Sequence, residues 1–231
     1  MPEPAHPHLH PTASLAERVL LPGDPGRALA LSQALLEEPR MFNHNRGLWG
    51  YTGRAPDGEP LTIQSTGMGG PSAAIVLTEL IAMGARRAIR VGTCGALDRG
   101  LELGDLVLAR AALCADGTSR ALGAAERASA DRELTAALAE AAPDAREGTV
   151  VSVDLFYERG PAGDGHEGAL AVEMEAATLF ALGSIEAVAV GCLLVVSDTF
   201  GPDGERRRIG HEQLPFAAER MGAAALAALM D

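Results

Sequence analysis

Residues 89–96 combine an apolar segment with an arginine, a threonine, a cysteine and two glycines. The apolar residues predict a buried β-strand, and Gly92 and Gly95 predict a turn where a ligand can approach the main chain. Exposed N–H groups in such a turn bind anions. Arg90 can donate to two phosphate oxygens at once and keeps its charge at any working pH. The segment therefore predicts a phosphate site, with an ordinary strand-to-loop turn and a solvated arginine as the alternative.

A second anion-binding corner is predicted after the short apolar strand 18–21. Asp24 can cap the helix that follows, which is predicted over residues 28–36. Gly23 and Arg27 then lie near a helix N-terminus, where free N–H groups and the helix dipole favour an anion. A capped turn with a solvent-facing Arg27 is the alternative.

Two extended segments, 41–51 and 61–66, flank a Pro-Asp-Gly turn and predict an antiparallel hairpin. Arg46 precedes a glycine at the rim of this hairpin, where it projects either into a site or into water. The second strand runs into the glycine-rich residues 66–72, which precede a helix predicted over 72–83. Glycine-rich turns between strand and helix are common in α/β proteins, so this turn is weak evidence alone.

Carboxylates occur at two further places. The apolar run 187–196 predicts a strand buried on both faces, and Asp198 follows it. A carboxylate at the C-terminal end of such a strand lies where open α/β sheets bind ligands, unless it only caps the next turn. Glu173 and Glu175 are predicted in the first turn of a helix over 172–182, where acids usually just complement the helix dipole.

The other segments continue an alternation of strands and helices. Strands are predicted over 88–91, 106–114 and 148–153, helices over 133–142 and 214–230, and a loop over 116–131. The glycine-rich residues 158–168 predict a flexible loop that is a candidate lid.

Composition narrows the class of protein. The 231 residues are 47% hydrophobic, enough for a substantial core, and the net charge of −12 argues against a nucleic-acid or anionic-membrane partner. The three cysteines are scattered, without the spacing of a metal site or the even number of a disulfide framework. The N-terminal residues have no apolar signal segment, and no apolar run is long enough to span a bilayer. We therefore expect a cytoplasmic protein with no metal.

Taken together, these segments resemble the hexameric purine nucleoside phosphorylases, part of the wider nucleoside phosphorylase family. Seven motifs follow the order and approximate spacing of that family: Pro22-Gly23-Asp24-Pro25 with Arg27, Asn45-Arg46-Gly47, Thr66-Gly67-Met68-Gly69, Arg90-Val91-Gly92-Thr93-Cys94-Gly95, Asp154-Leu155-Phe156-Tyr157, Val172-Glu173-Met174-Glu175-Ala176 and Ser197-Asp198. The resemblance implies a single α/β domain over residues 1–231, with a mixed, partly barrel-like central β-sheet flanked by helices. It also implies reversible phosphorolysis of purine (deoxy)ribonucleosides to free purine and (deoxy)ribose 1-phosphate.

The resemblance also implies the role of each site residue. The phosphate ion would be held by Gly23, Arg27, Arg90 and Thr93, with Arg46 supplied by a neighbouring subunit. The ribose would be bound by Glu175, through its 2′ and 3′ hydroxyls, and by Met68, Met174 and His8. The purine base would be bound by Phe156, Ser197 and Asp198.

Asp198 is implied as the general acid of this reaction. As the glycosidic bond breaks, negative charge develops on the purine, and a proton delivered to N7 neutralises it. Asp198 must then carry that proton near neutral pH, and such catalysis typically contributes about 10²- to 10⁴-fold. The family pairs this acid with a downstream arginine, but residues 199–205 shift the register, which leaves Arg206, Arg207 and Arg208 as candidates.

Shared residues imply an oligomer. An N-terminal histidine of the family contacts the ribose of the adjacent subunit, and the spacing fits His8 with a one-residue gap and His6 almost as well. Because Arg46 would also complete a neighbour's pocket, at least a dimer is needed, and the family is typically a homohexamer arranged as a trimer of dimers. Inorganic phosphate would be a co-substrate, and no cofactor is expected.

Two related activities are alternatives within the family. Uridine phosphorylases share the phosphate and ribose motifs but read uracil with a glutamine and an arginine, and residues 158–171 contain no such pair. Nucleosidases that use water lack the phosphate-binding arginines.

Two alternatives belong to other classes. Residues 92–95 resemble the nucleophile turn of a cysteine amidase, in which Cys94 would need a histidine base such as His166 or His211. A non-catalytic nucleoside-binding protein would need an aromatic residue and a ribose-binding carboxylate, but would have no need of Asp198.

Overall fold

The computed structural model describes residues 7–157, 166–201 and 205–230. The strands within these ranges are β1 (Arg18–Leu21), β2 (Glu37–Asn43), β3 (Gly50–Arg54), β4 (Pro60–Gln64), β5 (Arg87–Ala96), β6 (Leu106–Cys114), β7 (Arg127–Ser129), β8 (Arg146–Ser152), β9 (Ala169–Glu173), β10 (Ala189–Phe200) and β11 (Arg206–Arg208). The helices are α1 (Pro25–Leu35), α2 (Gly70–Ala82), α3 (Gly117–Ala121), α4 (Arg132–Ala141), α5 (Ala176–Glu186) and α6 (Gln213–Met230).

Part of the sheet closes on itself. Strand β5 pairs with β10, β10 with β6, β6 with β8, β8 with β9, and β9 returns to β5. Three of these pairs are parallel, such as β5 with β10, and two are antiparallel, such as β10 with β6, so the sheet is mixed. From β5 the sheet continues outward through β1, β4, β3 and β2. The predicted mixed, partly barrel-like sheet flanked by helices is confirmed.

Helices cover the sheet on two sides because its strands are apolar on both faces. Along β1, Val19 packs in the same core as α2 and α5, whereas Leu20 packs in the core formed with α1, α4 and α6. Successive side chains of a strand point to opposite faces, so each buried strand contributes to both cores. Phe180 is 2% exposed in the first core, and Met221 is fully buried in the second.

Several predicted boundaries are wrong near the site. The predicted helix over 172–182 is the end of β9 followed by α5, because Val172 pairs with Gly95 and Glu173 pairs with Ser152. Glu173 therefore ends a strand and does not lie in a helical turn. The strand predicted to end at Val196 continues to Phe200 and contains the acidic residue Asp198.

Two other predicted segments contain more structure than expected. The predicted hairpin is a three-stranded meander of β2, β3 and β4, and a short 3₁₀ turn at Asn45–Gly47 interrupts its first predicted strand. Within that turn Arg46 adopts a left-handed conformation, with φ of 56°. The predicted loop over 116–131 contains α3, whose N-cap Asp116 accepts from the backbone of Ser119, and β7. Among the described residues, every helix is too short or too polar to cross a membrane.

We predict that Phe180→Ala lowers the free energy of unfolding by about 3–5 kcal/mol, because it leaves a cavity in a well-packed core. Phe216→Ala is the matched control, since Phe216 is 75% exposed, and should change stability by less than about 0.5 kcal/mol. Urea unfolding followed by circular dichroism measures both. Equal losses of stability in the two variants would contradict the difference in burial between Phe180 and Phe216.

Candidate active site

The site is built around one buried guanidinium. Arg90, in the middle of β5, is 3% exposed, and it lies between Glu173 at the end of β9 and Glu175 at the start of α5. Its Nε donates to Glu173 Oε2 at 2.9 Å, and its Nη2 is 2.6 Å from Glu175 Oε2. Burial by itself lowers the pKa of Arg90, but the carboxylates of Glu175 and Glu173 raise it above the ordinary value. The arginine is therefore charged at any working pH.

Gly92 leaves room for this guanidinium. A Cβ atom at Gly92 would lie 2.7 Å from Cζ of Arg90, closer than two such atoms can approach. The side chain of Arg90 thus folds back over its own strand, and its Nη1 is buried without a hydrogen-bond partner among the described residues. A buried donor without a partner costs free energy, so Nη1 is a candidate donor to a ligand.

Glu173 organises the carboxylate side of the site. Its Oε1 accepts from the hydroxyl of Ser152 and from the backbone N–H of Ala176, and its Oε2 accepts from Arg90 and from the backbone N–H of Glu175 at 2.9 Å. Burial raises the pKa of Glu173, while the charge of Arg90 opposes that shift. One side chain therefore joins β8, β9, β5 and the start of α5.

A second guanidinium approaches from the N-terminus of α1. Asp24 caps this helix by accepting from the backbone N–H of Arg27 at 2.7 Å, as predicted. Burial lowers the pKa of Arg27, and the charges of Asp24, Arg90 and Glu175 also act on it. Arg27 is thus close enough to Arg90 and Glu175 to share their electrostatic environment.

The two glycine turns meet beside these arginines because β1 and β4 are parallel and end together. A Cβ atom at Gly23 would lie 3.2 Å from the carbonyl oxygen of Gly67. The backbone N–H of Gly69 donates to Oε1 of Glu175. Thr93 lies half-buried on β5, three residues beyond Arg90. Arg27, Arg90 and the two glycine turns therefore lie near Glu175, whereas no described contact joins the side chain of Thr93 to them.

Asp198 lies across the β5–β10 pairing from this corner. The register shifts between Val196 and Asp198, a bulge that places Asp198 opposite Gly95. Asp198 is 3% exposed, and its Oδ2 accepts from the hydroxyl of Ser197 at 2.6 Å. Its Oδ1 accepts from Nε of Arg206 at 2.8 Å. Both oxygens of the carboxyl group are thus oriented by neighbours.

Arg206 is the arginine that pairs with Asp198 in this conformation. Among the three candidates, Arg208 is farther away, with its Nε 3.8 Å from the same oxygen, and Arg207 makes no described contact with it. The guanidinium of Arg206 also lies 4.2 Å from the ring centre of Phe156, whose side chain is 45% exposed. Arg206 therefore contacts both Asp198 and Phe156, two of the predicted base-binding residues.

Met68 and Met174 adjoin residues of this corner along the chain, and the other predicted site residues make no described contact with it. Met68 is 85% exposed and Met174 is half-buried. Arg46 is exposed, and neither it nor His8 makes a described contact with Arg90, Glu175 or Asp198. Residues 158–165, most of the candidate lid, and His6 lie outside the described residues.

Sequence reasoning missed the roles of Glu173, Ser152 and Gly69. The sequence predicts Glu173 in a helix, because residues 169–172 are all apolar and lack the apolar–polar alternation that marks a half-buried strand. The contact between Ser152 and Glu173 had no signal in the sequence, because 21 residues separate the two side chains. The backbone donor at Gly69 had none either.

Cys94 lacks the surroundings of a nucleophile. It is 3% exposed and its Sγ lies 3.6 Å from the carbonyl oxygen of Val195. Burial raises the pKa of Cys94 well above its ordinary value, whereas a reactive thiol needs a lowered one. No described histidine contacts it, which argues against the cysteine amidase hypothesis. Among the described residues, no cluster of His, Cys, Asp and Glu has an arrangement that holds a metal ion.

These features define a class of site: two arginines beside glycine turns, a buried carboxylate in contact with one of them, and an oriented acid linked through Arg206 to an aromatic ring. Comparison with known proteins agrees. A family model described as the phosphorylase superfamily matches residues 17–230. The chain therefore belongs to the phosphorylase superfamily and is an enzyme of that family.

The similar proteins are named either as uridine phosphorylase or as purine nucleoside phosphorylase. The chain is 38% identical over 233 residues to a uridine phosphorylase of Thermococcus kodakarensis, covering 89% of this chain and 83% of that protein. It is 37% identical over 218 residues to a DeoD-type purine nucleoside phosphorylase of Geobacillus kaustophilus, covering 89% and 90%. The crystal structure of purine nucleoside phosphorylase from Toxoplasma gondii in complex with immucillin-H superposes with a TM-score of 0.84 at 26% identity, covering 93% of this chain and 90% of that one.

We predict that Glu173→Gln lowers the free energy of unfolding by about 3–5 kcal/mol, because it removes one partner of a buried ion pair. Glu147→Gln is the matched control, since Glu147 pairs with an exposed Arg110 at the surface and such pairs contribute at most about 1 kcal/mol. Urea unfolding measures both variants. A loss for Glu173→Gln no larger than that of the control would contradict the central role of this carboxylate.

Proposed function

We propose that the protein is a purine nucleoside phosphorylase that splits purine (deoxy)ribonucleosides with inorganic phosphate into free purine and (deoxy)ribose 1-phosphate. One observation carries the proposal. Arg90 is held by Glu175 while its Nη1 stays buried and without a described partner, so an anion donor and a sugar-binding carboxylate touch each other. Phosphorolysis needs that adjacency, because the phosphate oxygen must attack the anomeric carbon of the sugar.

The phosphate ion would lie between Arg27, Arg90, Gly23 and Thr93. Two guanidiniums suit a doubly charged oxyanion, and charge-assisted hydrogen bonds to them are stronger than neutral ones. The net charge of −12 opposes an anion, so the guanidiniums of Arg27 and Arg90 would have to bind it through direct hydrogen bonds. Arg46 of a neighbouring subunit would complete the site.

The ribose would lie above the phosphate, against Glu175. Each oxygen of Glu175 has one described donor, Gly69 N–H or Arg90, and a carboxylate oxygen can accept two hydrogen bonds. The 2′ and 3′ hydroxyls would donate to the remaining positions. Met68 and Met174 would pack against the sugar, and His8 of a neighbour would close it.

The base would lie between Phe156 and Asp198. When the glycosidic bond breaks, the proton of Asp198 passes to N7 of the purine, and the carboxylate that remains is stabilised by Arg206 at 2.8 Å. Ser197 orients the second oxygen of the same carboxyl group. Phe156 offers an aromatic face to the ring.

A uridine phosphorylase is the second candidate. It is favoured by the Thermococcus kodakarensis relative and by Arg206, whose guanidinium lies against Phe156 and can donate to the carbonyl oxygens of uracil. The purine reaction is preferred because Asp198 supplies an acid for N7, an atom that uracil lacks.

We further propose a cytoplasmic homohexamer, a trimer of dimers, that acts in purine salvage without a cofactor and without nucleic-acid or membrane partners. The three cysteines are free and buried, which suits a reducing compartment. Arg46 and His8 make no described contact with their own Arg90, which is compatible with a role in a neighbour's pocket.

The decisive assay measures free base released from inosine, guanosine, adenosine and uridine, each with and without inorganic phosphate. We expect phosphate-dependent release of purine and little release of uracil. Release of uracil alone would favour the second candidate. Release that does not depend on phosphate would indicate a hydrolase and overturn the proposal.

We predict that Asp198→Asn retains the fold and lowers kcat by about 10²- to 10⁴-fold, most strongly on adenosine, because the base loses its proton donor. Asp144→Asn, which removes an exposed carboxylate from its pair with Arg220, serves as the control and should keep full activity. Steady-state kinetics with each nucleoside measures the effect. Near-normal turnover of Asp198→Asn would remove the assignment.

We predict that Arg27→Gln raises the KM for phosphate about ten- to hundredfold, because a charge-assisted hydrogen bond contributes roughly 1.5–3 kcal/mol. The KM for nucleoside should change much less. Arg40→Gln, an exposed arginine on β2, is the matched control. Equal changes in the KM values for phosphate and nucleoside would place Arg27 outside the phosphate site.

A further inference from the structure

Glu79 holds the N-terminal arm, residues 8–12, against helix α2. Its Oε2 accepts from the backbone N–H of Leu9 at 2.8 Å, and its Oε1 lies 2.6 Å from Nδ1 of His8. Leu9 is fully buried in the core, and Glu79 is only 8% exposed. The arm is therefore packed, and the carboxylate has a defined orientation before any ligand binds.

The same arm is tied to the turn that carries Arg46. The backbone N–H of His10 donates to Oδ1 of Asn43 at 2.8 Å. The side-chain amide of Asn45, the residue before Arg46, donates to the carbonyl oxygen of His8 at 3.0 Å. The two residues proposed to act in a neighbour's pocket thus belong to one hydrogen-bonded unit.

Glu79 determines which nitrogen of His8 carries the proton. A carboxylate can only accept, so the short contact to Nδ1 places a proton on Nδ1. In the neutral ring, Nε2 is then a hydrogen-bond acceptor. It has no partner among the described residues, and the His8 side chain is 27% exposed, so a ligand can reach it.

We propose that Glu79 is a positioning residue that presents Nε2 of His8 as an acceptor for the 5′-hydroxyl of a nucleoside bound in the neighbouring subunit. This inference rests on the proposed function. The 5′-hydroxyl is the donor that remains, because Glu175 takes the vicinal 2′ and 3′ hydroxyls. The opposite tautomer would present an N–H in place of that acceptor.

Glu79→Gln tests the inference with little change in shape. We expect kcat/KM for inosine to fall about three- to tenfold, mainly through KM, the size of one neutral hydrogen bond. For 5′-deoxyinosine, which lacks the hydroxyl, kcat/KM should stay within about twofold of the wild-type value. His8→Ala should show the same pattern, and His10→Ala, with an exposed ring on the same arm, should show no loss.

A double-mutant cycle separates positioning from a structural role. If Glu79 acts through His8, adding Glu79→Gln to His8→Ala costs nothing further on inosine. Additive losses, or equal losses on both nucleosides, would overturn the inference and leave the phosphorylase activity standing. Thermal unfolding and sedimentation check that each variant keeps its fold and assembly.

NMR spectroscopy tests the tautomer of His8 without measuring catalysis. In an NMR spectrum of the protein labelled with ¹⁵N-histidine, the His8 signals are those lost in His8→Ala. We expect the proton on Nδ1 in the wild type and a changed tautomer population in Glu79→Gln. A proton on Nε2 in the wild type would refute the inference even if inosine is a substrate. Absence of phosphate-dependent activity in the wild type would instead refute the proposed function.

Discussion

A buried guanidinium between two buried carboxylates is the interaction on which the rest of this structure depends. Arg90 can be taken out of water only because Glu173 and Glu175 both contact it, since an unpaired buried charge is strongly destabilising. Glu173 meets that need while also accepting N–H groups at the start of α5. The carboxylate of Glu173 therefore both balances the charge of Arg90 and accepts the N–H groups at the start of α5.

Closure of the barrel makes that arrangement possible. Strand β9 pairs with β5 on one side and β8 on the other, which brings Glu173 to Arg90 and Ser152 to Glu173. On the opposite side of β5, the parallel pairing with β10 places Asp198 opposite Gly95. Arg90 and Gly95 lie on the same strand, so the β5–β10 pairing fixes the position of Asp198 relative to Arg90.

Much of the local structure follows from short-range chemistry. Asp24 caps α1 as its position before Pro25 predicts, and the apolar segments around Arg90 and before Asp198 form buried strands. The boundary at Glu173 was wrong, because acids next to an apolar helix fit a first helical turn as well as a strand end. Pairing with β5 and β8 decides between them, and those partners are distant in the chain.

The sequence by itself determined which residue types are available: arginines beside glycine turns, an acid on a buried strand, and an aromatic residue after β8. These depend on neighbours within a few positions. Only the tertiary structure decided that Glu173 holds Arg90, 83 residues away, that Arg206 pairs with Asp198, and that Glu79 holds His8, 71 residues away. Such contacts depend on strand register and closure, which arise from packing of the whole sheet and not from any local pattern.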